Sequence, residues 1–221
     1  MGRWKVVNYK SSHRNSSHSF RHHAQKSKAS GFCYVNDCVL SILQLRKSKP
    51  SCRVLYLDLD LHYSDGVSTA FSNSSNILTI SIHHRAPGFY PPSPPLTDTD
   101  PSNVSIALAA GASDHTFHSI WTSIEMIKND FRPDYVVVQC GLDGLAGDPC
   151  KVWNWSLDGK AGSLGWCVRR VTEDWNLKTL FLGGGGYNSQ NAARAWTYLT
   201  AIIVSGQVVQ RIHIMCQWVG G

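Results

Sequence analysis

The chain has 221 residues, of which 43% are hydrophobic and 16% charged, with 8 Trp, 8 Tyr and 7 Phe. This is about one domain's length with enough apolar surface for a core, which excludes wholesale disorder. The formal net charge is +6, but the first 30 residues carry seven bases and no acid, so the body of the chain is near neutral. The basic front end reads as a solvated tail or as an arm for an acidic partner, and no direct nucleic-acid partner is expected. Residues 195–210 form the longest uncharged stretch near the C-terminus, too short and too polar for a membrane span. The first residues lack a signal-peptide core. No membrane partner is expected, and the chain reads as intracellular. Its seven cysteines are odd in number and show no CxxC spacing, which fits reduced, mostly buried thiols.

In chain order, the apolar pattern predicts a helix over 36–46, then strands over 53–60, 77–82 and 104–108. A helix over 115–130, a strand over 135–139, a helix over 157–171, a strand over 179–182 and a helix over 190–204 follow. Strands separated by helices in this way make an α/β fold, a parallel multi-stranded sheet with helices on both faces. Ligands of such sheets sit beyond the carboxyl ends of the strands. The loop over 86–102 holds six prolines and little periodicity, which makes it a candidate rim for a site there.

Residues 57–66 read Leu-Asp-Leu-Asp-Leu-His-Tyr-Ser-Asp-Gly. In an extended strand, Asp58, Asp60 and His62 project to one side while Leu59 and Leu61 pack on the other. Two carboxylates and an imidazole gathered at a strand end are costly without a cation; the alternative is a solvated strand end with polar caps. The strand over 135–139 runs into Cys140-Gly141-Leu142-Asp143-Gly144, delivering a further carboxylate to the same sheet edge. Asp60, His62 and Asp143 would make a three-ligand site with an open position, the arrangement of catalytic zinc. His22 and His23 are adjacent, and Asp58 and Asp65 are available to orient one imidazole each, leaving Nε2 free for a reacting water; a surface accident is the plainer alternative. Gly183 to Gly186 precede Tyr187 without the Lys-Ser/Thr of a phosphate-binding loop. The run is either a simple loop or a close backbone approach that aims the Tyr187 hydroxyl.

His22-His23-Ala24, the run from Ser30 to Asp37, Asp58-Leu59-Asp60-Leu61-His62, Pro87-Gly88-Phe89-Tyr90-Pro91, Gly147-Asp148-Pro149 and the run from Gly183 to Asn188 stand in the order found in zinc-dependent histone deacetylases. The chain resembles the class I branch most, over about residues 22–200. The resemblance implies the arginase/deacetylase fold, incomplete at the N-terminus. It divides the chain into a divergent basic segment over 1–21, a partial catalytic domain over 22–204 and a divergent tail over 205–221. It implies zinc on Asp60, His62 and Asp143, with the activated water attacking an N-acetyl-lysine amide. It makes His23, backed by Asp65, the general base; His22, backed by Asp58, an electrostatic and proton-delivery partner; and Tyr187 the oxyanion donor. Gly31, Phe32 and Tyr90 would line a tunnel for the lysine stem. A structural potassium ion would use Asp58, Asp60, His62, Ser81 and Ile82, largely through backbone oxygens. Acetylated histone tails or other acetyl-lysine proteins are the implied substrates, corepressor-complex subunits the implied partners, and the nucleus, with the cytoplasm second, the implied compartment.

The chain departs from the family at three places. The usual His-His-Gly-Asp-Gly reads His62-Tyr63-Ser64-Asp65-Gly66, so Ser64 must accept the backbone geometry of a glycine. A Pro-rich stretch over 91–95 replaces Pro-Gly-Thr-Gly. Residues 10–21 separate the His pair from a strand expected over 4–9. A second class of function therefore stays open: a catalytically silent fragment that keeps the metal site and serves as an interaction module. In that reading a missing first strand would leave a sheet edge unpaired.

Overall fold

Runs such as Val54-Leu55-Tyr56-Leu57 have no polar face, and they form the centre of the sheet because both of their faces can be buried. A computed structural model describes residues 5–8, 19–20, 22–92 and 100–205. The strands are β1 (Lys5–Asn8), β2 (Ser19–Phe20), β3 (Cys33–Val35), β4 (Val54–Asp58), β5 (Ile77–His84), β6 (Asn103–Leu108), β7 (Tyr135–Cys140) and β8 (Lys178–Gly183). The helices are α1 (Asp37–Ser48), α2 (Asp65–Ala70), α3 (Asp114–Phe131), α4 (Leu164–Arg169) and α5 (Ser189–Ser205). Six strands form one sheet in the order β1-β8-β7-β4-β5-β6, and β2 pairs with β3 apart from it. Every pairing in the large sheet is parallel.

Alternate strand residues enter two core layers. Leu55, Leu57, Ile80, Val136, Val138 and Phe181 pack with Trp121 of α3, Leu164 of α4 and Leu199 of α5. Val54, Tyr56, Ile77, Val137 and Leu182 pack with Ile42 of α1 and Val67 of α2. Helices thus cover both faces, as expected. In the first layer Phe117 stacks on Trp155 at 3.8 Å between ring centroids. Below it, the Glu125 carboxylate accepts hydrogen bonds from the indole N–H of Trp121 and of Trp175 and from the Arg170 guanidinium. None of the six described cysteines is joined in a disulfide.

Several expectations change. The edge next to β8 is paired: Lys5 lies opposite Thr179 and Asn8 opposite Leu182. The strand expected over 4–9 is therefore β1. β4 ends at Asp58 rather than at residue 60, and β5 continues to His84. The helix expected from residue 157 starts only at Leu164, because Gly159 and Gly162 stand at φ +95° and +90°, conformations a helix cannot contain. Ser163 then caps α4 by accepting from the Trp166 N–H, and past Arg169 the helix widens into a π turn over Arg170–Asp174. α2 was not anticipated, since Asp-Gly-Val-Ser-Thr-Ala has no helical apolar period. Residues 9–18, 21, 93–99 and 206–221, which include most of the Ser/His/Arg-rich stretch, Pro94 and Pro95, and the expected tail, lie outside the described residues.

Candidate active site

The polar cluster lies where β4, β7 and β8 end. After Asp58 the chain leaves the sheet, and side chains hold the backbone in its place. The Asp60 N–H donates to Asp58 Oδ1 at 2.9 Å and the His62 N–H to Asp60 Oδ1 at 3.0 Å. The convergence expected from strand alternation is thus made by a loop of side-chain-to-backbone turns. Glycines let the neighbouring strand ends approach. A Cβ at Gly141 would run into Asp60, and one at Gly185 into the Asp143 carboxylate. The Gly185 N–H instead donates to Asp60 Oδ2 at 2.7 Å, and Gln139 Nε2 of β7 donates to the same oxygen at 3.1 Å. Leu61 N–H donates to Asp143 Oδ1 at 3.0 Å.

Asp60, His62 and Asp143 come together as expected, each offering a ligand atom within 4.8 Å of the others. The His62 Nδ1 lies 2.9 Å from Asp143 Oδ2 and 3.2 Å from Asp60 Oδ1. Both carboxylates are fully buried. Burial and the facing Asp60 charge push the Asp143 carboxyl up to about 6. Burial opposes a charge on His62, but hydrogen bonds to Asp143 and Asp60 outweigh it and lift the imidazole to about 10. Two buried carboxylates that face each other make the electrostatic demand that a divalent cation meets. One imidazole nitrogen with two carboxylate oxygens suits zinc. The backbone and Gln139 bonds fix the carboxylates as the outer partners of a metal site do.

The two histidines sit beside this cluster, on a segment fastened by later parts of the chain. Asn36, which caps α1 by accepting from the Val39 N–H, donates its Nδ2 to the carbonyls of His22 and Ala24 at 3.2 and 2.9 Å. Gly66 of α2 packs against the same segment, where a Cβ would strike the His22 and Ala24 carbonyls. His22 Nδ1 is 2.7 Å from Asp58 Oδ2, and His23 Nδ1 is 2.6 Å from Asp65 Oδ1. The two Nε2 atoms face each other at 3.1 Å. Burial lowers the pKa of both rings. For His22, Asp58 and Asp60 outweigh burial and raise it to about 9. For His23, the neighbouring His22 adds to burial, and Asp65 does not fully compensate, so its pKa falls below the ordinary imidazole value.

Of the expected lining residues, Gly31 and Tyr90 stand against His23. Gly31 stands at φ +54°, and a Cβ there would meet the His23 and Tyr90 rings at 2.5 and 2.8 Å. The Tyr90 ring meets His23 edge-on at 5.1 Å, and its hydroxyl is 2.6 Å from Ser30 Oγ. Phe32 is 83% exposed and sits at φ +62°, an uncommon backbone for a phenylalanine. Tyr187 presents its ring edge to His62 at 6.5 Å. Phe89, which the sequence reading passed over, stacks on His62 at 5.2 Å and touches His84 edge-on at 4.6 Å. Gln139 and Asn36 were likewise not singled out. The Pro-Gly-Phe-Tyr-Pro run held the signal for Phe89, while a Gln inside an apolar strand and an Asn before a helix held the other two. The 62–66 departure is accommodated. Ser64 has φ −80°, so no glycine is required there, and the Tyr63 hydroxyl accepts from Asn103 Nδ2 at 2.8 Å. Ser81 is buried and in register with Asp58, and with Ile82 it lies within β5, short of its end at His84. Both Asp58 oxygens are already engaged, one by the Asp60 N–H and the other by His22 and the Tyr56 hydroxyl.

Comparison with known proteins bears on this geometry. Residues 8–203 match the histone deacetylase domain. The chain is 43% identical over 189 residues to histone deacetylase 8 of Xenopus laevis, covering 83% of this chain and 56% of that protein. It is 44% identical to histone deacetylase 8 of Danio rerio, covering 83% and 48%. It is 40% identical over 193 residues to histone deacetylase 1 of Homo sapiens, covering 85% and 38%. The chain thus spans about half the length or less of these relatives. A domain match over most of the chain, on the parallel α/β sheet and strand-end cluster described above, establishes that the chain belongs to the histone deacetylase family.

Proposed function

We propose that this chain is a zinc-dependent hydrolase that removes acetyl groups from N-acetyl-lysine side chains of histones or other proteins. One observation carries the reading: two carboxylate-held imidazoles, His22 on Asp58 and His23 on Asp65, face the Asp60–His62–Asp143 cluster. Zinc held by those three residues would supply Lewis acidity toward the amide carbonyl and a lowered pKa for the attacking water. His23, neutral near pH 7, takes the water's proton at Nε2 while Asp65 fixes its tautomer. His22, charged and pinned by Asp58, supports the developing negative charge and returns a proton toward the leaving amine. Tyr187 stays protonated, because desolvation of its hydroxyl and the nearby Asp143 and Asp60 charges raise its pKa, and so donates a hydrogen bond to the amide oxygen as negative charge builds there. Phe32, Tyr90 and the side-chain-free Gly31 suit the apolar stem of the lysine.

The same family reading supplies the structural potassium at Asp58, Asp60, His62, Ser81 and Ile82, histone tails as substrates, corepressor subunits as partners, and a nuclear location with the cytoplasm second. Among the described residues no helix is long and apolar enough to cross a membrane. The test is turnover of an acetyl-lysine peptide by the zinc-loaded chain beside Tyr187→Phe, which keeps the ring and removes one hydroxyl. A loss of about 10²–10³-fold with zinc content unchanged is expected. Turnover that survives the substitution overturns the mechanism. A folded, zinc-loaded parent without turnover overturns the enzyme reading in favour of an interaction module.

A further inference from the structure

We infer that Asp148 is a positioning residue for Tyr187: its buried carboxylate ties the glycine-rich loop after β8 to the loop after β7 and so sets where the Tyr187 hydroxyl stands. This rests on the reading of Tyr187 as the hydrogen-bond donor to the substrate. Asp148 is 4% exposed and makes no contribution to the metal cluster or to either histidine. Its Oδ2 accepts the Tyr187 N–H at 2.7 Å across 39 residues of sequence, and its Oδ1 accepts the Cys150 N–H at 2.9 Å. A turn holds the carboxylate itself in place. The Asp148 N–H donates to the Leu145 carbonyl at 3.1 Å, and the Asp148 carbonyl accepts from the Lys151 N–H at 3.0 Å.

Four consecutive glycines have little intrinsic preference for one backbone path, so the loop must be fixed from outside. One anchor is Gly185, whose N–H donates to Asp60 and whose carbonyl accepts from the Leu142 N–H at 2.8 Å. Beyond it Gly186 turns at φ +134°. Tyr187 itself is 52% exposed, so burial does not hold its ring. What fixes this residue past the glycine hinge is the charge-assisted bond from its backbone to Asp148. A carboxylate suits the task because it accepts from two loops at once and carries no donor to compete. Gly147-Asp148-Pro149, one of the motifs that carry the family resemblance, thereby acquires a role.

The test compares the zinc-loaded parent, Asp148→Ala, Tyr187→Phe and the double variant on one acetyl-lysine peptide. It adds amide hydrogen exchange at Tyr187 read by NMR. In Asp148→Ala we expect kcat to fall about 10–100-fold, part of the full worth of an oxyanion donor, with KM within about threefold and zinc content unchanged. Exchange at the Tyr187 amide should accelerate by about tenfold or more while the Leu61 and His62 amides stay protected. Adding Asp148→Ala to Tyr187→Phe should cost less than about threefold further, because the two act through one hydroxyl. Fully multiplicative losses in the double variant, or unaltered Tyr187 exchange, overturn the inference. Asp148→Asn keeps one acceptor oxygen and should show a smaller loss of the same kind; it serves if the alanine variant does not fold. If the parent has no turnover, the proposed function fails, and amide exchange alone decides the positioning role.

Discussion

Glu125 on α3 is a half-buried carboxylate and Asp143 after β7 a fully buried one, and the protein treats them oppositely. Burial disfavours the Glu125 charge, yet hydrogen bonds from Arg170, Trp175 and Trp121 outweigh it and hold its pKa below the ordinary value. Asp143 faces Asp60 instead, and burial with that like charge pushes it up to about 6. The aromatic layer under α3 is electrically complete within itself. The strand-end cluster is complete only with a positive charge placed between its carboxylates. Perturbing the first region should therefore register in stability, and perturbing the second in metal binding and rate.

The largest expected effect is on rate. His23→Ala removes the proposed base beside the cluster and should lower turnover about 10²–10⁴-fold, with zinc content unchanged and the melting temperature little moved. Equal turnover in parent and variant, measured on one acetyl-lysine peptide, would place the base elsewhere. Next comes metal-linked stability. At zinc about 100-fold above its Kd the parent should gain about 2.7 kcal/mol over the chelated protein. Asp143→Ala should abolish most of that gain in paired melting curves. A gain that persists in the variant would remove Asp143 from the ligand set.

The smallest effect probes the self-sufficient region. Glu125→Gln should cost about 1.5–3 kcal/mol in denaturant unfolding, the usual worth of hydrogen bonds to a charged group, with zinc affinity unchanged. Because the folded pKa of Glu125 lies below its unfolded value, its contribution is present above that unfolded value, 4.5, and is lost as pH falls through the folded one. The gap between parent and variant should thus be flat at neutral pH and narrow below about pH 4.5. A gap that widens on acidification would contradict the assignment.

Much of this arrangement was legible in the residues, for identifiable reasons. Val54 to Leu57 and Tyr135 to Val138 announce central strands because an uninterrupted apolar run has no amphipathic alternative of that length. Asp60, His62 and Asp143 were readable because charge at the end of such a run demands a partner. Residues that act through tertiary contact gave weaker signals. Gln139 reads as one more strand residue until Asp60 is found against it. Phe89 reads as a loop aromatic until it is seen stacked on His62. α2 exists because Gly66 lets the chain close on the His22–Ala24 segment, a reason that lies 42 residues away from it at Ala24 and nowhere in its own periodicity. The overlong helix from residue 157 failed on Gly159 and Gly162, whose left-handed conformations override the apolar spacing around them.

The fastening of His22 to Ala24 by Asn36 and Gly66 separates the order of the chain from the order of its mechanics. The two imidazoles stand near the front of the sequence, yet among the described residues the side chains that hold them, Asn36, Asp58 and Asp65, come from behind. The aim of both rings is thus set from behind, by Asn36, Asp58, Asp65 and Gly66.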